Sequence, residues 1–128
     1  MNLILDTQAF LWLAIDDKKL SRKAKRYYLN KKNEIYISGV SIWEMAIKIS
    51  LGKLKINEPL DSFIETHAIG NDMRVLEIKS THLYKLESLP LHHRDPFDRA
   101  IIAQSMTEGF QIIGNDKAFD SYPVERVW

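Results

Sequence analysis

The sequence of 128 residues contains no cysteine. A chain without thiols cannot form a disulfide framework, a thiolate zinc site or a cysteine nucleophile, so any metal must be held by oxygen or imidazole ligands. The formal net charge is only +1. Overall charge therefore indicates neither a nucleic-acid-binding nor an acidic protein, and steering of a charged partner would depend on local patches.

Long apolar runs are also missing, and nothing approaches the roughly 20 apolar residues that a membrane span requires. The apolar N-terminus lacks a basic leader and a small-residue cleavage site and carries Asp6 and Gln8, so we do not expect a signal peptide. We expect a soluble, cytoplasmic protein with no membrane contact. With 45% apolar side chains, the chain suits one domain, residues 1–128, built around a single core.

Short apolar and β-branched segments are typical of strands in a buried parallel sheet. They predict strands at Asn2–Asp6, Glu34–Ser38, Arg74–Ile78 and Phe110–Gly114, with an edge strand at Val124–Val127. The segments between them predict helices at 7–15, 21–32, 41–52, 60–69, 80–89 and 95–109. Strands separated by helices of this length indicate an α/β fold, a three-layer α/β/α domain with a central parallel sheet of four to five strands.

Four carboxylates occupy comparable places in this predicted fold. Asp6 and Asp116 directly follow strands, whereas Glu44 and Asp98 lie in the first turns of helices that should start from the same edge of the sheet. Functional groups gather at that edge in open parallel sheets. Four carboxylates there would repel one another unless a cation holds them together. All-oxygen ligation favours Mg²⁺ or Mn²⁺, which can assist in-line attack of water on a phosphodiester.

Each acid also has a purely structural interpretation. Asp6 could cap the first helix, and Asp116 could begin a turn. Asp98 could complete the helix cap at Asp95, and the segment Ser41–Glu44 matches a capping box. The residues alone leave both interpretations open.

Basic residues that could contact a phosphate backbone fall in two places. The segment Lys18–Lys32, hereafter the basic segment, has eight basic residues and no acidic one, with Tyr27 and Tyr28 between them. Such a mixture is typical either of a solvated helix face or of a phosphate-contacting surface. Lys48 lies four residues after Glu44, so it could form an ion pair with that residue or contact a scissile phosphate.

The segment before the predicted 95–109 helix holds further polar groups. We predict that Arg94 and Arg99 pair with nearby carboxylates. His92 and His93 lie in a loop with no third imidazole nearby, so we predict that they are surface residues and not a metal site or a general base.

Four motifs follow one another along nearly the whole chain. They are Leu5-Asp6-Thr7, Ser41-Ile42-Trp43-Glu44, Asp95-Pro96-Phe97-Asp98-Arg99 and Asn115-Asp116-Lys117-Ala118-Phe119. Together they resemble the PIN-domain nucleases, and among these the VapC-type toxins of bacterial and archaeal toxin-antitoxin pairs. The resemblance implies a homodimeric RNA endonuclease that is silenced by a cognate antitoxin protein, whose C-terminal segment covers the active site.

The resemblance also implies roles for individual residues. It assigns Asp6, Glu44, Asp98 and Asp116 to the acidic quartet that binds Mg²⁺ or Mn²⁺. Thr7 matches the neighbouring hydroxyl of the family and, with Lys48, is a candidate contact for the substrate phosphate.

Two positions complicate the resemblance. Members of the family often carry Thr or Ser two residues before the fourth acid, where this chain has Gly114, so a hydroxyl that would support Asp116 is absent. Asp95 competes with Asp98 for the third place. We assign Asp98 because it directly precedes the buried helical run, which leaves Asp95 as a cap or an outer partner.

The leading hypothesis is a metal-dependent endoribonuclease in which Asp6 and Asp98 bridge the principal ion. An aspartate-based phosphotransfer domain is a second hypothesis, but Gln8, two residues after Asp6, cannot protonate a leaving group. A catalytically silent binding module is a third, in which the carboxylates serve as caps. Apolar residues in excess at 10–15 and 42–51 favour a homodimer in any of these cases.

Overall fold

A five-stranded parallel sheet forms the centre of the structure, a computed structural model that describes residues 1–128. The strands are β1 (Asn2–Leu5), β2 (Glu34–Ser38), β3 (Arg74–Leu76), β4 (Gln111–Ile113) and β5 (Arg126–Val127). Their order in the sheet is β3-β2-β1-β4-β5, and all pairings are parallel. The predicted edge strand is therefore present, and the predicted parallel sheet is confirmed.

Six helices connect the strands. They are α1 (Thr7–Ala14), α2 (Arg22–Leu29), α3 (Gly39–Ser50), α4 (Leu60–His67), α5 (Ser80–Ser88) and α6 (Pro96–Glu108), with short 3₁₀ turns at Ile69–Asn71 and Lys117–Ser121. The longest of them, α6, has 13 residues, and none combines the length and the apolar character needed to cross a bilayer.

The two faces of the sheet are covered by separate apolar clusters. Leu3 and Leu5 of β1 belong to one cluster, which includes Phe10 of α1 and Phe63 of α4. Ile4 points the other way because side chains alternate along a strand, and it belongs to the second cluster, which includes buried residues of α6. This arrangement gives the three-layer α/β/α architecture that the sequence predicts.

The register of the sheet aligns the carboxyl ends of its three central strands. Leu5 is paired with Ile37 of β2 on one side and with Ile113 of β4 on the other. The residues that follow these strands therefore lie at one edge, which we call the carboxyl edge. The opposite edge, where the strands begin, is the amino edge.

Helix α3 begins earlier than the sequence predicts. Ser38 is its N-cap, and the Ser38 Oγ accepts the Val40 N–H at 2.9 Å. The predicted capping box at Ser41–Glu44 is therefore wrong. Glu44 lies in the second turn of α3 instead of the first, and its carboxylate is free for contacts elsewhere.

The start of α6 matches the prediction closely. Asp95 is the N-cap, and its Oδ1 accepts the N–H groups of Phe97 and Asp98 at 2.8 and 3.1 Å. Pro96 occupies the first helical position, where a missing N–H has no cost. Gly109 ends the helix with a left-handed φ of 71°, a conformation that glycine adopts without strain.

Other boundaries also differ from the prediction by a few residues. Helix α2 ends at Leu29 and not at Lys32, since Asn30 is already extended. Strand β3 stops at Leu76. The N-cap of α5 is Lys79, so that Ser80 is the first helical residue instead of the cap.

Candidate active site

An acidic pocket of about 530 Å³ opens at the carboxyl edge. Its acidic lining residues are Asp6, Glu44, Asp95, Asp98 and Asp116. Its basic lining residues are Lys48 and Lys117. The structure thus brings together all four of the predicted carboxylates, although they come from four separate elements of the chain.

Asp6 lies at the centre of this arrangement and is buried, with 6% of its surface exposed. It caps α1 by accepting the Ala9 N–H at 2.7 Å through Oδ1, while its Oδ2 accepts no hydrogen bond. The pKa of Asp6 is raised to about 7, first by burial and then by the charges of neighbouring acids, Asp98 foremost, while the hydrogen bond from the Ala9 N–H lowers it. The capping and the pocket-lining interpretations of Asp6 are therefore both correct.

Gly114 makes room for this carboxylate. A Cβ atom at position 114 would lie 2.5 Å from the Oδ2 and 3.1 Å from the Cγ of Asp6. The backbone there is not in a left-handed conformation, so glycine is needed for space and not for its conformational freedom. The missing hydroxyl noted in the sequence is thus a consequence of where the Asp6 carboxylate sits.

Glu44 is buried and held from two sides. Thr7 donates its hydroxyl to Glu44 Oε1 at 2.7 Å, and the Oγ of the buried Ser41 lies 2.8 Å from the Thr7 Oγ1. Lys48 bonds the other oxygen, Oε2, one turn further along α3. The Thr7 hydroxyl therefore orients Glu44, while Lys48 both forms the expected ion pair and lines the pocket.

Asp98 lies in the first turn of α6 and is partly buried. Its pKa is raised to about 6, first by burial, then by the charge of Asp95, with smaller contributions from Glu44 and Asp116; a positive charge on His93, present only if the imidazole is protonated, would lower it. The Asp95 carboxylate is occupied as the helix cap. This division confirms that Asp95 is the cap and leaves Asp98 as the acid offered to the pocket.

Asp116 is the most exposed of the four acids. Its side chain is 47% exposed, and its Oδ1 accepts the Ala118 N–H at 2.9 Å, which caps the short turn Lys117–Ser121. Asp116 therefore begins a turn, as one interpretation of the sequence predicts. Its other oxygen, Oδ2, lies 3.1 Å from the Nε2 of His93.

One functional candidate was missed by the sequence analysis. The Nε2 of His93 lies 3.0 Å from Asp98 Oδ2 and 3.1 Å from Asp116 Oδ2. The prediction that His93 is a surface residue is wrong, whereas His92 is exposed as expected. The only sequence signal for His93 was its place two residues before the cap of an acid-bearing helix.

The two arginines do not pair with carboxylates. Arg99 donates to the carbonyl oxygens of Leu89, Pro90 and His93 and to the Tyr122 hydroxyl, at 2.9 to 3.4 Å. Arg94 is exposed and forms no ion pair. The predicted ion pairs are wrong because the loop before α6 folds its carbonyl groups around the Arg99 guanidinium.

The basic segment lies away from the acidic pocket. None of its residues lines that pocket, and Arg26 and Tyr27 instead lie beside Met1, at the amino edge. Both Tyr27 and Tyr28 are partly buried and pack against the core cluster. Contact of this segment with RNA remains a prediction.

The pocket fits a hard divalent cation. Its carboxylates offer only oxygen donors, and the unbonded Oδ2 of the buried Asp6 is a ready ligand. Ligand atoms of Asp98, Asp116 and His93 lie within 4.8 Å of one another. Burial is the first cause of the raised pKa values of Asp6 and Asp98, and the charges of neighbouring acids add to it. Mg²⁺ or Mn²⁺ would supply positive charge that offsets the charges of these acids.

Several solved structures share this fold. VapBC2 from Rickettsia felis, bound to a DNA fragment from its promoter, has a TM-score of 0.70 and 16% identity, with 100% of each chain covered. DNA-bound VapBC from Salmonella typhimurium has a TM-score of 0.71 and 16% identity over 98% of this chain and 96% of that one. Mycobacterium tuberculosis VapC20, a toxin that cleaves the sarcin-ricin loop, has a TM-score of 0.68 and 15% identity, covering 95% of both.

Sequence comparison adds the family. A search of curated protein sequences finds no match. A sequence model of the PIN domain, however, matches residues 3–125, which is nearly the whole chain. The matched region includes β2, β3 and β4 and all of β1 except Asn2, and it ends one residue before β5. This chain belongs to the PIN domain family.

Proposed function

We propose that the protein is a metal-dependent endoribonuclease that acts as the toxin of a toxin-antitoxin pair. The observation that carries this proposal is the meeting of Asp6, Glu44, Asp98 and Asp116 in one pocket at the carboxyl edge. Burial of Asp6 and Asp98 raises the pKa of both carboxyls, a cost that a bound cation would offset. A fold that needed these acids only as caps would have no reason to gather them.

Asp6 and Asp98 would hold the principal cation, with Glu44 and Asp116 completing the acidic pocket. Mg²⁺ or Mn²⁺ bound there would stabilise charge on the phosphodiester and make a water molecule a better nucleophile. Thr7 keeps the Glu44 carboxylate directed by its 2.7 Å hydrogen bond. Lys48 and Lys117, the two cations of the pocket, would contact the substrate phosphate.

The partner and substrate proposals draw on the solved structures with this fold. One of them is a toxin that cleaves the sarcin-ricin loop, and others are VapBC or FitAB structures. We propose an RNA substrate, a cognate antitoxin and a homodimer for this chain. Two apolar side chains, Trp43 of α3 and Leu51 at its C-cap, are 52% and 62% exposed and are consistent with burial against a partner. An RNA-cleaving toxin would act in the cytoplasm.

The test is cleavage of RNA by the purified protein with Mg²⁺, with Mn²⁺ and with excess chelator. We expect cleavage with either metal and none with chelator. Asp6→Asn retains the helix cap, because asparagine also caps well, but should weaken Mn²⁺ binding in calorimetry and abolish cleavage. A catalytically silent module would bind Mn²⁺ equally well before and after this substitution. Cleavage that persists in chelator would contradict the metal mechanism.

A further inference from the structure

We propose that His93 is a positioning residue that ties the third and fourth acids of the pocket together. In this role its imidazole donates the Nε2–H to the Oδ2 atoms of Asp98 and Asp116, at 3.0 and 3.1 Å. The imidazole itself does not bind the cation. The inference rests on the proposed metal-dependent function and assigns a part of the same site.

The tautomer of His93 follows from its other ring nitrogen. The Asp95 N–H donates to His93 Nδ1 at 3.3 Å, so Nδ1 is an acceptor and carries no proton. The ring proton is then on Nε2, the atom that faces the two carboxylates. A nitrogen that carries a proton has no lone pair for a metal ion. His93 therefore acts on the cation through Asp98 and Asp116.

The backbone of His93 is held firmly enough to aim the ring. Its N–H donates to the hydroxyl of the buried Tyr122 at 2.9 Å, and its carbonyl accepts from Arg99 Nη1 at 3.4 Å. Tyr122 donates in turn to the carbonyl of Pro90 at 2.8 Å. The His93 side chain is only 16% exposed. These hydrogen bonds hold the loop in one conformation and keep the imidazole beside Asp98 and Asp116.

The donation leaves one oxygen of Asp98 for a cation and fixes the orientation of Asp116. Asp98 Oδ1 accepts no hydrogen bond, whereas both oxygens of Asp116 are held, Oδ1 by the Ala118 N–H and Oδ2 by His93. With its side chain 47% exposed, Asp116 has little packing to keep it against the pocket. His93 therefore links the most exposed acid to a carboxylate on the rigid first turn of α6. Partners of this kind orient metal ligands, and their loss commonly costs 10- to 100-fold in metal affinity.

The first experiment measures Mg²⁺ and Mn²⁺ affinity by calorimetry for the full chain and three variants. His93→Leu removes the donor and should weaken binding about 10- to 100-fold. His93→Gln keeps an N–H donor at the reach of Nε2 and should recover most of that loss. His92→Leu is the matched control, because His92 is exposed and its side chain makes no hydrogen bond, and it should leave the affinity unchanged. Circular dichroism verifies that each variant is folded.

Two outcomes of this titration would overturn the inference while the proposed function stands. One is unchanged affinity in His93→Leu, and the other is His93→Gln binding as weakly as His93→Leu. Failure of the unmodified protein to bind either metal would instead overturn the proposed function, and the inference with it. The two failures are therefore distinguishable from the unmodified protein alone.

A spectroscopic measurement on the unmodified protein tests the role independently of any variant's folding. In ¹⁵N-histidine NMR, His93 should show a protonated Nε2 and an unprotonated Nδ1, both with and without Mg²⁺. Pulsed EPR of the Mn²⁺ complex should show no directly bonded nitrogen. A bonded-nitrogen signal that disappears in His93→Gln would identify His93 as a metal ligand and refute the positioning role.

Discussion

The two edges of the sheet carry opposite charge in very different surroundings. At the carboxyl edge, Asp6 and Glu44 are buried and Asp98 is partly buried. The eight basic residues of the basic segment are all exposed, and the later part of this segment lies at the amino edge, beside Met1. The acids lie close together because the register of the sheet aligns the ends of the strands. The basic residues instead lie along the solvated surface of one helix and its flanking loops.

This difference determines how strongly each edge should respond to a single substitution. Charges in a buried pocket interact through little water, so each acid affects the pKa of the others. Exposed lysines are screened by water and salt, and each contributes little alone. We therefore expect a single substitution to change RNA cleavage or stability strongly at the carboxyl edge and only slightly at the amino edge.

The largest effect is expected from Asp98→Asn. This change removes a charged ligand while keeping nearly the same volume, so cleavage of RNA should fall at least about 100-fold. Initial rates at saturating Mg²⁺ or Mn²⁺ provide the measurement. The matched change at the other edge is Arg26→Gln, which also neutralises one exposed charge and should alter the rate less than about threefold. Equal losses in the two variants would show that the contrast between the edges is wrong.

The second prediction concerns stability of the metal-free protein. The folded-state pKa of Asp6 is about 7, above its ordinary value of 3.8, so between these values the folded state binds more protons than the unfolded state. The free energy of unfolding should therefore fall as the pH rises from about 4 to about 7, by an amount on the order of 3 kcal/mol. Asp98, with a pKa raised to about 6, also makes the free energy of unfolding fall as the pH rises.

Urea denaturation in chelator at several pH values measures this trend. Asp6→Asn should flatten it and make the metal-free protein more stable above pH 7, because a buried charge is gone. Added Mg²⁺ should stabilise the unmodified protein most at high pH, where the carboxylates are ionised. If the free energy of unfolding depends on pH identically in the unmodified protein and in Asp6→Asn, Asp6 is not the cause of the trend.

A third prediction tests the space around Asp6. Gly114→Ala places a Cβ 2.5 Å from Asp6 Oδ2, so the carboxylate must move. Destabilisation of about 1–3 kcal/mol is typical of such overpacking, and metal affinity should fall with it. Gly39→Ala is the control, because a Cβ there meets its nearest neighbour at an ordinary 3.5 Å. Thermal unfolding and Mn²⁺ calorimetry compare the variants, and a Gly114→Ala protein that binds Mn²⁺ normally would contradict the packing argument.

The sequence was sufficient to predict the sheet and the four acids of the pocket. The apolar runs of β1 and β2 and the Asp95-Pro96 start of α6 are local signals, each generated by residues next to one another. Parallel strand order then places Asp6 and Asp116 at one edge without further information. Capping and pocket lining proved compatible, since Asp6, Asp95 and Asp116 all cap helices or turns at the pocket.

What the sequence could not provide depends on contacts between distant residues. His93 is aimed by the Tyr122 hydroxyl, 29 positions later in the chain. Arg99 was expected to find a carboxylate but binds carbonyl groups of a loop whose path no local pattern predicts. Ser38 displaced Ser41 as the cap of α3 because both residues suit that role and only the end of β2 decides between them.

The smallest effect is expected from Lys48→Ala. Lys48 is the one pocket cation already paired with a catalytic candidate, Glu44, yet its side chain is 46% exposed. The Glu44 carboxylate of this pair is buried, so loss of its partner should cost about 1 kcal/mol, more than an exposed pair of this spacing would, and the melting temperature should fall by only a few degrees. If Lys48 contacts the substrate phosphate, KM for RNA should rise a few-fold in the variant. RNA binding should then release about one counterion fewer, which lowers the slope of affinity against salt concentration by about 1. Arg26→Ala at the amino edge should leave both unchanged. A Lys48→Ala protein with unaltered KM would show that Lys48, like the exposed cations of the amino edge, does not contact the substrate.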